Sequence, residues 1–184
     1  MPEINDQDLI SSMARGDTQA MKALYARHAD RVYNTALVYL QVPNDAEEVA
    51  QDVFTKAWRS AAKFKGNSQV STWLYRITVN TALSKLKKRK RKSFLGLGEL
   101  TKEPTNFSHP ETKLEFAEEQ QTLYAAIYGL PARQKTAFVL SYIENLPRQQ
   151  VADVMAISLK AVESLLIRSK KSLRVSLADY KQTT

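Results

Sequence analysis

The sequence predicts an all-α protein: two small helical domains joined by a flexible linker, the C-terminal one containing a helix-turn-helix. Three observations predict it. Apolar residues recur at three- and four-residue spacing along most of the chain, with no sustained strand alternation. Between residues 93 and 112 the periodicity fades into GLG, Pro104 and Pro110, with Thr, Asn and Ser between them. Beyond Asn145, a short helical stretch, a tight turn and a longer helical stretch follow one another. The expected boundaries are residues 1–92 for the first domain, 93–112 for the linker and 113–184 for the second. A chain of 184 residues with 43% hydrophobic content can build two such cores.

Leu9, Ile10 and Met13 open the first helix and Gly16 ends it. A second helix runs from Ala20 to Leu40 with Leu24, Tyr25, Val32, Leu37 and Leu40 turned inward, and Pro43 stops it. Asn44, with Glu47 three residues on, predicts the cap of a third helix, in which Ala46, Val49, Ala50, Val53, Phe54, Ala57, Trp58 and Ala61 form one apolar face. The other face carries Asp45, Glu48 and Asp52, an acidic ridge expected to be solvated. Residues 66–70 read as a loop, and Ser71 or Thr72 as the cap of a helix that ends in KLKKRKRK. After the linker, helical periodicity resumes at Leu114 and passes through Leu123, Ile127 and Leu130. Pro131 starts a further helix through Phe138, Val139, Leu140 and Ile143.

Charge singles out one segment. Residues 1–83 carry nine cations and nine anions and residues 114–184 carry nine and seven, so six of the eight net positive charges sit between them. Lys85 to Lys92 holds seven cations in eight positions, continuing a helix that contains Trp73 and Tyr75. No core can bury that run: it is either a solvated helix end or a path for a polyanion, where cations follow phosphates and aromatic rings engage bases.

The second constellation lies beyond residue 147. Gln150–Met155 reads as a short helix, Ala156–Ser158 as a turn and Leu159–Leu173 as a longer helix. Val151, Ala152, Met155, Ile157, Val162 and Leu166 are placed to interlock between the helices. As a helix-turn-helix, the pattern would offer Ser158, Lys160, Glu163, Ser164, Ile167, Arg168 and Lys171 to a major groove, with Lys170 and Arg174 near the backbone. A packed helical hairpin would share the pattern. Between Ala132 and Arg174 there are eight cations and three anions, and the pattern alone leaves the two readings equal; the basic run and this pattern together suit DNA at a point where it opens.

Several classes are disfavoured. No cysteine is present, and His28 and His109 are isolated, so neither disulfide nor metal chemistry is expected. No nucleophile pairs with a base at a recognisable spacing and no phosphate-cradling G-x-x-x-x-G-K-[ST] occurs, so neither enzymatic activity nor a cofactor is expected. The acidic N-terminus lacks the features of a signal peptide, and no apolar run approaches a bilayer span; the expected setting is cytoplasmic. A helix-turn-helix repressor or an RNA-binding adaptor are the rival classes. The first would need a dimer seam that the sequence lacks, and the second would leave the helix-turn-helix unused.

Two segments carry a resemblance. DAEEVAQDVFTKAWRSAAKFKGNSQVSTWLYRITVNTALSKLKKRKR resembles region 2 of the sigma-70 superfamily of bacterial transcription initiation factors, and LPARQKTAFVLSYIENLPRQQVADVMAISLKAVESLLIRSKKSLR resembles region 4. Their order and the linker between them resemble the small extracytoplasmic-function (ECF) type. The resemblance implies a factor that binds core RNA polymerase, reads a −35 element with its C-terminal domain and opens a −10 element with its N-terminal one. It further implies an anti-sigma partner. Asp45, Glu48, Gln51 and Asp52 fall where the family docks on the polymerase clamp. Lys65, Gly66, Asn67, Ser68, Gln69 and Val70 fall where ECF factors capture a flipped base, beside Arg76, Asn80, Lys87, Lys88 and Arg89 on the following helix. Trp73 matches a family aromatic, although its spacing with Ile77 favours a core anchor. The chain departs from the family pattern at Ser84, Lys87 and Leu165. The last stands where an arginine is common in the family, which weakens the direct phosphate or base contact that the resemblance implies there.

Overall fold

The computed structural model describes residues 4–94 and 115–183, and every regular element among them is helical. The chain divides into two compact units, Met1–Glu103 and Pro104–Thr184. The expected linker and His109 lie almost wholly outside the described residues.

The first unit contains α1 (Asp6–Ala14), α2 (Thr18–Leu40), α3 (Pro43–Ser60), a 3-10 turn at Ala61–Lys63, and α4 (Val70–Phe94). Asn5 caps α1 by accepting from the Asp8 N–H, and Asp17 caps α2 by accepting from Gln19 and Ala20. Gly16 between them has φ +91°, a conformation that costs glycine little. The three longer helices pack pairwise, and Leu24, Ala36, Leu40, Val49, Val53, Ala57, Leu74 and Ala82 are all but sealed from solvent. Tyr25, expected inward, is half exposed but lies against Phe54, with ring centroids 4.8 Å apart. α1 is fastened to α2 by Asp6, which contacts Arg27 at 2.9 Å and His28 at 2.7 Å. Burial raises the pKa of Asp6, but hydrogen bonds from Arg27 and His28 outweigh it and hold the group below the usual carboxylate value. His28 is thus a partnered, buried histidine rather than an isolated one.

Three details of the helix ends differ from expectation. α2 ends at Leu40 as expected, but what stops it is Gln41, which adopts a left-handed conformation and donates its N–H to the Leu37 carbonyl, rather than Pro43. Pro43 opens α3, because its fixed φ suits a first helical position where no N–H is needed, and Asn44 therefore sits inside the helix instead of capping it. α4 begins at Val70, with the Trp73 N–H already bonded to the Gln69 carbonyl, so neither Ser71 nor Thr72 is its cap.

The second unit contains α5 (Glu115–Gly129), α6 (Ala132–Phe138), α7 (Arg148–Met155) and α8 (Leu159–Thr183). The single helix expected through Ile143 instead widens to a π-helical turn at Val139–Ile143, where the Glu144 N–H reaches the Val139 carbonyl at 3.0 Å. Asn145, with φ 52°, then redirects the chain into α7. Ala137, Val139, Leu140, Val151, Ala152, Val162 and Leu166 form the core. α8 continues ten residues past the expected end at Leu173, since the sequence there holds no helix breaker.

Leu24 is wholly buried, so Leu24→Ala should destabilise the first unit by about 2–5 kcal/mol. Both tryptophans, Trp58 and Trp73, lie in that unit, and urea unfolding followed by their fluorescence should show the loss; less than about 1 kcal/mol would place Leu24 outside the core.

Candidate nucleic-acid interface

The cations of α4 fall into two sets by helical position. Lys85 and Arg89, one turn apart, face α3: Lys85 Nζ lies 2.9 Å from Asp45 Oδ1 and 2.5 Å from Glu48 Oε2, and Arg89 Nη1 lies 3.5 Å from Asp45 Oδ2. Arg89 also reaches the Leu40 carbonyl at the end of α2 at 3.5 Å. Burial works against the charge on Lys85, but hydrogen bonds to Glu48 and Asp45 outweigh it and raise its pKa above the ordinary lysine value. The second set, Lys87, Lys88, Lys90, Arg91 and Lys92, is exposed.

Arg76 and Asn80 are exposed on α4 upstream of the run, and the steps 76, 80, 84 and 87/88 keep one face of the helix. Arg76, Asn80, Lys87 and Lys88 therefore form one polar and cationic line. Arg89, expected among the strand contacts, is turned away from it. The aromatic part of the expectation also changes. Tyr75 is buried, and Trp73 packs on Phe64 at a centroid distance of 4.9 Å, as the core-anchor reading of its spacing required. Among the described residues of α4 the aromatic left exposed is Phe94 instead, 90% exposed and seven positions beyond Lys87 on the same face.

Ahead of α4, Lys65, Gly66, Asn67 and Gln69 are exposed and Ser68 is half-buried. Gly66 has φ +71°, so a side chain here would strain the turn that presents Asn67. Val70 is only 3% exposed and belongs to the helix; the loop ends at Gln69, and Val70 can floor a pocket but cannot offer its edge. An open cleft of about 390 Å³ runs beside it, lined by Asn5, Asp6, Gln7, Gln69, Val70 and Ser71. No sequence pattern pointed to the start of α1 as a neighbour of this loop, because the contact spans over 60 residues.

The acidic ridge on α3 is likewise divided. Gln51 and Asp52 are exposed, whereas Asp45 and Glu48 are engaged by Lys85. The ridge expected to be solvated throughout is half neutralised by the run expected to be free.

In the second unit, α7 ends at Ala156, left-handed at φ 52°, and the Ile157 N–H closes on the Ala152 carbonyl at 3.1 Å. Ser158 caps α8 through its hydroxyl, accepting from the Ala161 N–H at 3.2 Å. This is the sharp turn of a helix-turn-helix. On α8, Ser158, Lys160, Ile167, Arg168 and Lys171 are exposed, and Ile167 is 70% exposed, a large apolar side chain left in water. Glu163 and Ser164 are half-buried: Glu163 pairs with Arg148 at 3.7 Å, and the Ser164 hydroxyl accepts from Arg168 at 2.8 Å. Lys170 lies 4.8 Å from the Tyr142 ring centroid, so it packs on the domain. Leu165 is 9% exposed and faces the core. The leucine thus packs inward at the position that the resemblance gives to an arginine.

Both units also match known families. Residues 24–92 match sigma-70 region 2 and residues 120–173 match sigma-70 region 4. The ECF RNA polymerase sigma-E factor of Haemophilus influenzae is 30% identical over 180 residues, covering 93% of this chain and 94% of that protein. This chain is an ECF sigma factor of the sigma-70 family. The RNA polymerase sigma-H factor of Pseudomonas aeruginosa is a further relative of this sigma factor, 29% identical over 182 residues and covering 94% and 93% of the two chains. Among solved structures, CnrH in complex with the cytosolic domain of CnrY has the same fold, with a TM-score of 0.70 at 24% identity over 95% of this chain and 97% of that one. The sigma factor RpoE of Bartonella quintana, solved with the anti-sigma factor NepR, gives 0.72 at 21% identity over 85% and 96%. As a member of this family the chain acts in transcription initiation. Among the described residues, no helix is long and apolar enough to cross a membrane and no cluster of three metal-ligating side chains occurs.

The left-handed Ala156 is exposed and carries a Cβ that this conformation disfavours. Ala156→Gly should therefore stabilise the second unit of the sigma factor by up to about 1 kcal/mol. Thermal unfolding of the full chain should show the gain; a loss would mean that the turn is held by contacts of the Ala156 methyl.

Proposed function

We propose that this ECF sigma factor binds core RNA polymerase through the acidic face of α3, reads a −35 duplex with α8, and holds the opened −10 strand along α4 and the loop before it. One observation carries the reading: a single chain bears two separate exposed basic surfaces, the Arg76–Asn80–Lys87–Lys88 line on α4 and the Lys160–Arg168–Lys171 face of a helix-turn-helix. The first suits a displaced strand and the second a closed duplex.

Three functional parts correspond to the sequence divisions: residues 1–92 for polymerase and the −10 element, 93–112 as the joining segment, and 113–184 for the −35 element. Exposed Gln51 and Asp52 begin the polymerase contact, and Asp45 and Glu48 complete it against a basic partner surface. Lys65 to Gln69 receive an extruded base through polar groups and the close approach that Gly66 permits, above the floor made by Val70. Ser158, Lys160, Glu163, Ser164, Ile167, Arg168 and Lys171 line the groove-facing side of α8. In that role Ile167 would meet the apolar edge of a base pair, and Arg168, braced by Ser164, a phosphate or guanine edge. Acting on RNA polymerase, the protein would work in the cytoplasm. An anti-sigma partner is proposed because CnrH and the Bartonella RpoE were each solved in such a complex.

Transcription with core polymerase on a supercoiled promoter library should give specific starts only when the protein is added. A repressor or RNA adaptor would give none. On the promoters so found, Lys160→Ala and Arg168→Ala should each weaken initiation. A residue bidentate to a base should cost about 1–3 kcal/mol and relax specificity at one −35 position, while a phosphate contact should weaken all sequences alike. Unchanged promoter choice and strength in both variants would remove α8 from −35 recognition.

A further inference from the structure

The acidic groups read as polymerase contacts and the basic run read as a strand path are bonded to each other. Asp45 and Lys85 are the most enclosed of the four groups, with side chains 25% and 21% exposed, and Arg89 is 35% exposed. Glu48 is 67% exposed and completes the cluster from outside. Both partners are thus satisfied inside the free protein, although each belongs to a surface that has another use.

We propose that this cluster is an internal clamp, in which Lys85 and Arg89 occupy the acidic ridge until a basic partner surface takes Asp45 and Glu48, whereupon the two cations join the strand-binding line of α4. The inference rests on the reading of that line as a nucleic-acid path. Partner and strand then help each other without any movement of the backbone. A partner that takes the carboxylates frees two cations for phosphate, and by linkage a strand that takes the cations frees the ridge by the same factor. The two cations are well placed for it. Lys85 and Arg89 lie on the helical face next to that of Lys88 and Arg91, and both have stems long enough to change sides. The strength of the device is bounded by its exposure. Partly exposed ion pairs hold by factors of roughly two to five each, so the clamp should lower strand affinity of the free protein by about three- to tenfold. Such a margin suppresses idle binding while remaining within reach of a partner.

The test measures binding of the full chain to a fluorescent oligothymidylate over a range of salt concentrations. Asp45→Asn combined with Glu48→Gln opens the clamp and should raise affinity about three- to tenfold. It should also steepen the log–log salt slope by about 0.7 for each cation gained by the strand. Because the change also adds two positive charges, it is compared with Asp30→Asn combined with Glu47→Gln, which alters charge equally at exposed carboxylates outside the cluster. The complementary pair uses the cations. Lys85→Met with Arg89→Met should leave the slope of the free chain nearly unchanged, since those cations are already engaged, whereas Lys87→Met with Lys88→Met should flatten it by about 1.4. Retained helicity by circular dichroism qualifies each variant, and either pair alone decides the question. Equal affinity and slope in the clamp and charge-control variants, or equal flattening by the two methionine pairs, would overturn the clamp while leaving the strand path intact. No salt-dependent binding by the unaltered chain would overturn the strand path and the clamp with it.

Discussion

The orientation of α4 about its own axis governs what the N-terminal unit can present. That helix carries core residues, a polar line and eight cations within 25 residues, and a rotation of one residue position would exchange their roles. Two interactions fix it. Leu74, Val79 and Ala82 are buried among the longer helices, and the ion cluster of Lys85 and Arg89 with Asp45 and Glu48 pins the helix beyond Ala82. Without the second, the basic half of α4 would be held by little more than the half-buried Leu86 and its own backbone, and seven like charges repel one another. The acids of α3 relieve that repulsion at the two positions that face them and leave the other five cations in solvent.

The C-terminal unit solves a different problem. A reading helix must expose one side completely, so its other side has to be held by a small core. Val162, Leu166 and Leu173 supply that grip, with Ser169 bonded back to the Leu166 carbonyl. Arg148 and Glu163 tie α7 to α8 across the turn, and Lys170 lies over Tyr142. Ile167 remains in water in the middle of this polar face, where on the proposed reading it would meet the apolar edge of a base pair.

Much of this was legible in the sequence because it is periodic or local. The fold class, the core faces of α2 and α3, the turn at Ala156–Ser158 and the exposed positions of α8 all follow from spacing. What escaped was the pairing of elements distant in sequence and the chemistry of single boundaries. Lys85 and Asp45 are 40 residues apart, and no pattern within either helix says that one will fold onto the other, so each charged run looked solvated when read alone. The start of α3 was misplaced because Asn44 is a strong cap by type, whereas the fixed φ of Pro43 was worth more one position earlier. The π-helical turn at Val139–Ile143 escaped because Phe138, Val139, Leu140 and Ile143 read equally well as part of one α-helical stretch. That Leu165 packs inward, at a position where the resemblance expects an arginine, shows only in the register of α8 against its core.

The central claim is that the charges of this sigma factor are partitioned into a bonded set and a free set, and lysine ammonium groups report that directly. In a proton–nitrogen correlation spectrum of the full chain, the Lys85 ammonium should give a resolved signal protected from exchange with water. On raising the pH, it should titrate above the ordinary value of 10.5, because its hydrogen bonds to Glu48 and Asp45 outweigh its burial. Its contribution to stability is then complete below 10.5 and is lost only as the pH passes the higher folded value. A Lys85 signal that exchanges as fast as those of Lys87 and Lys88, and titrates at or below 10.5, would contradict the partition.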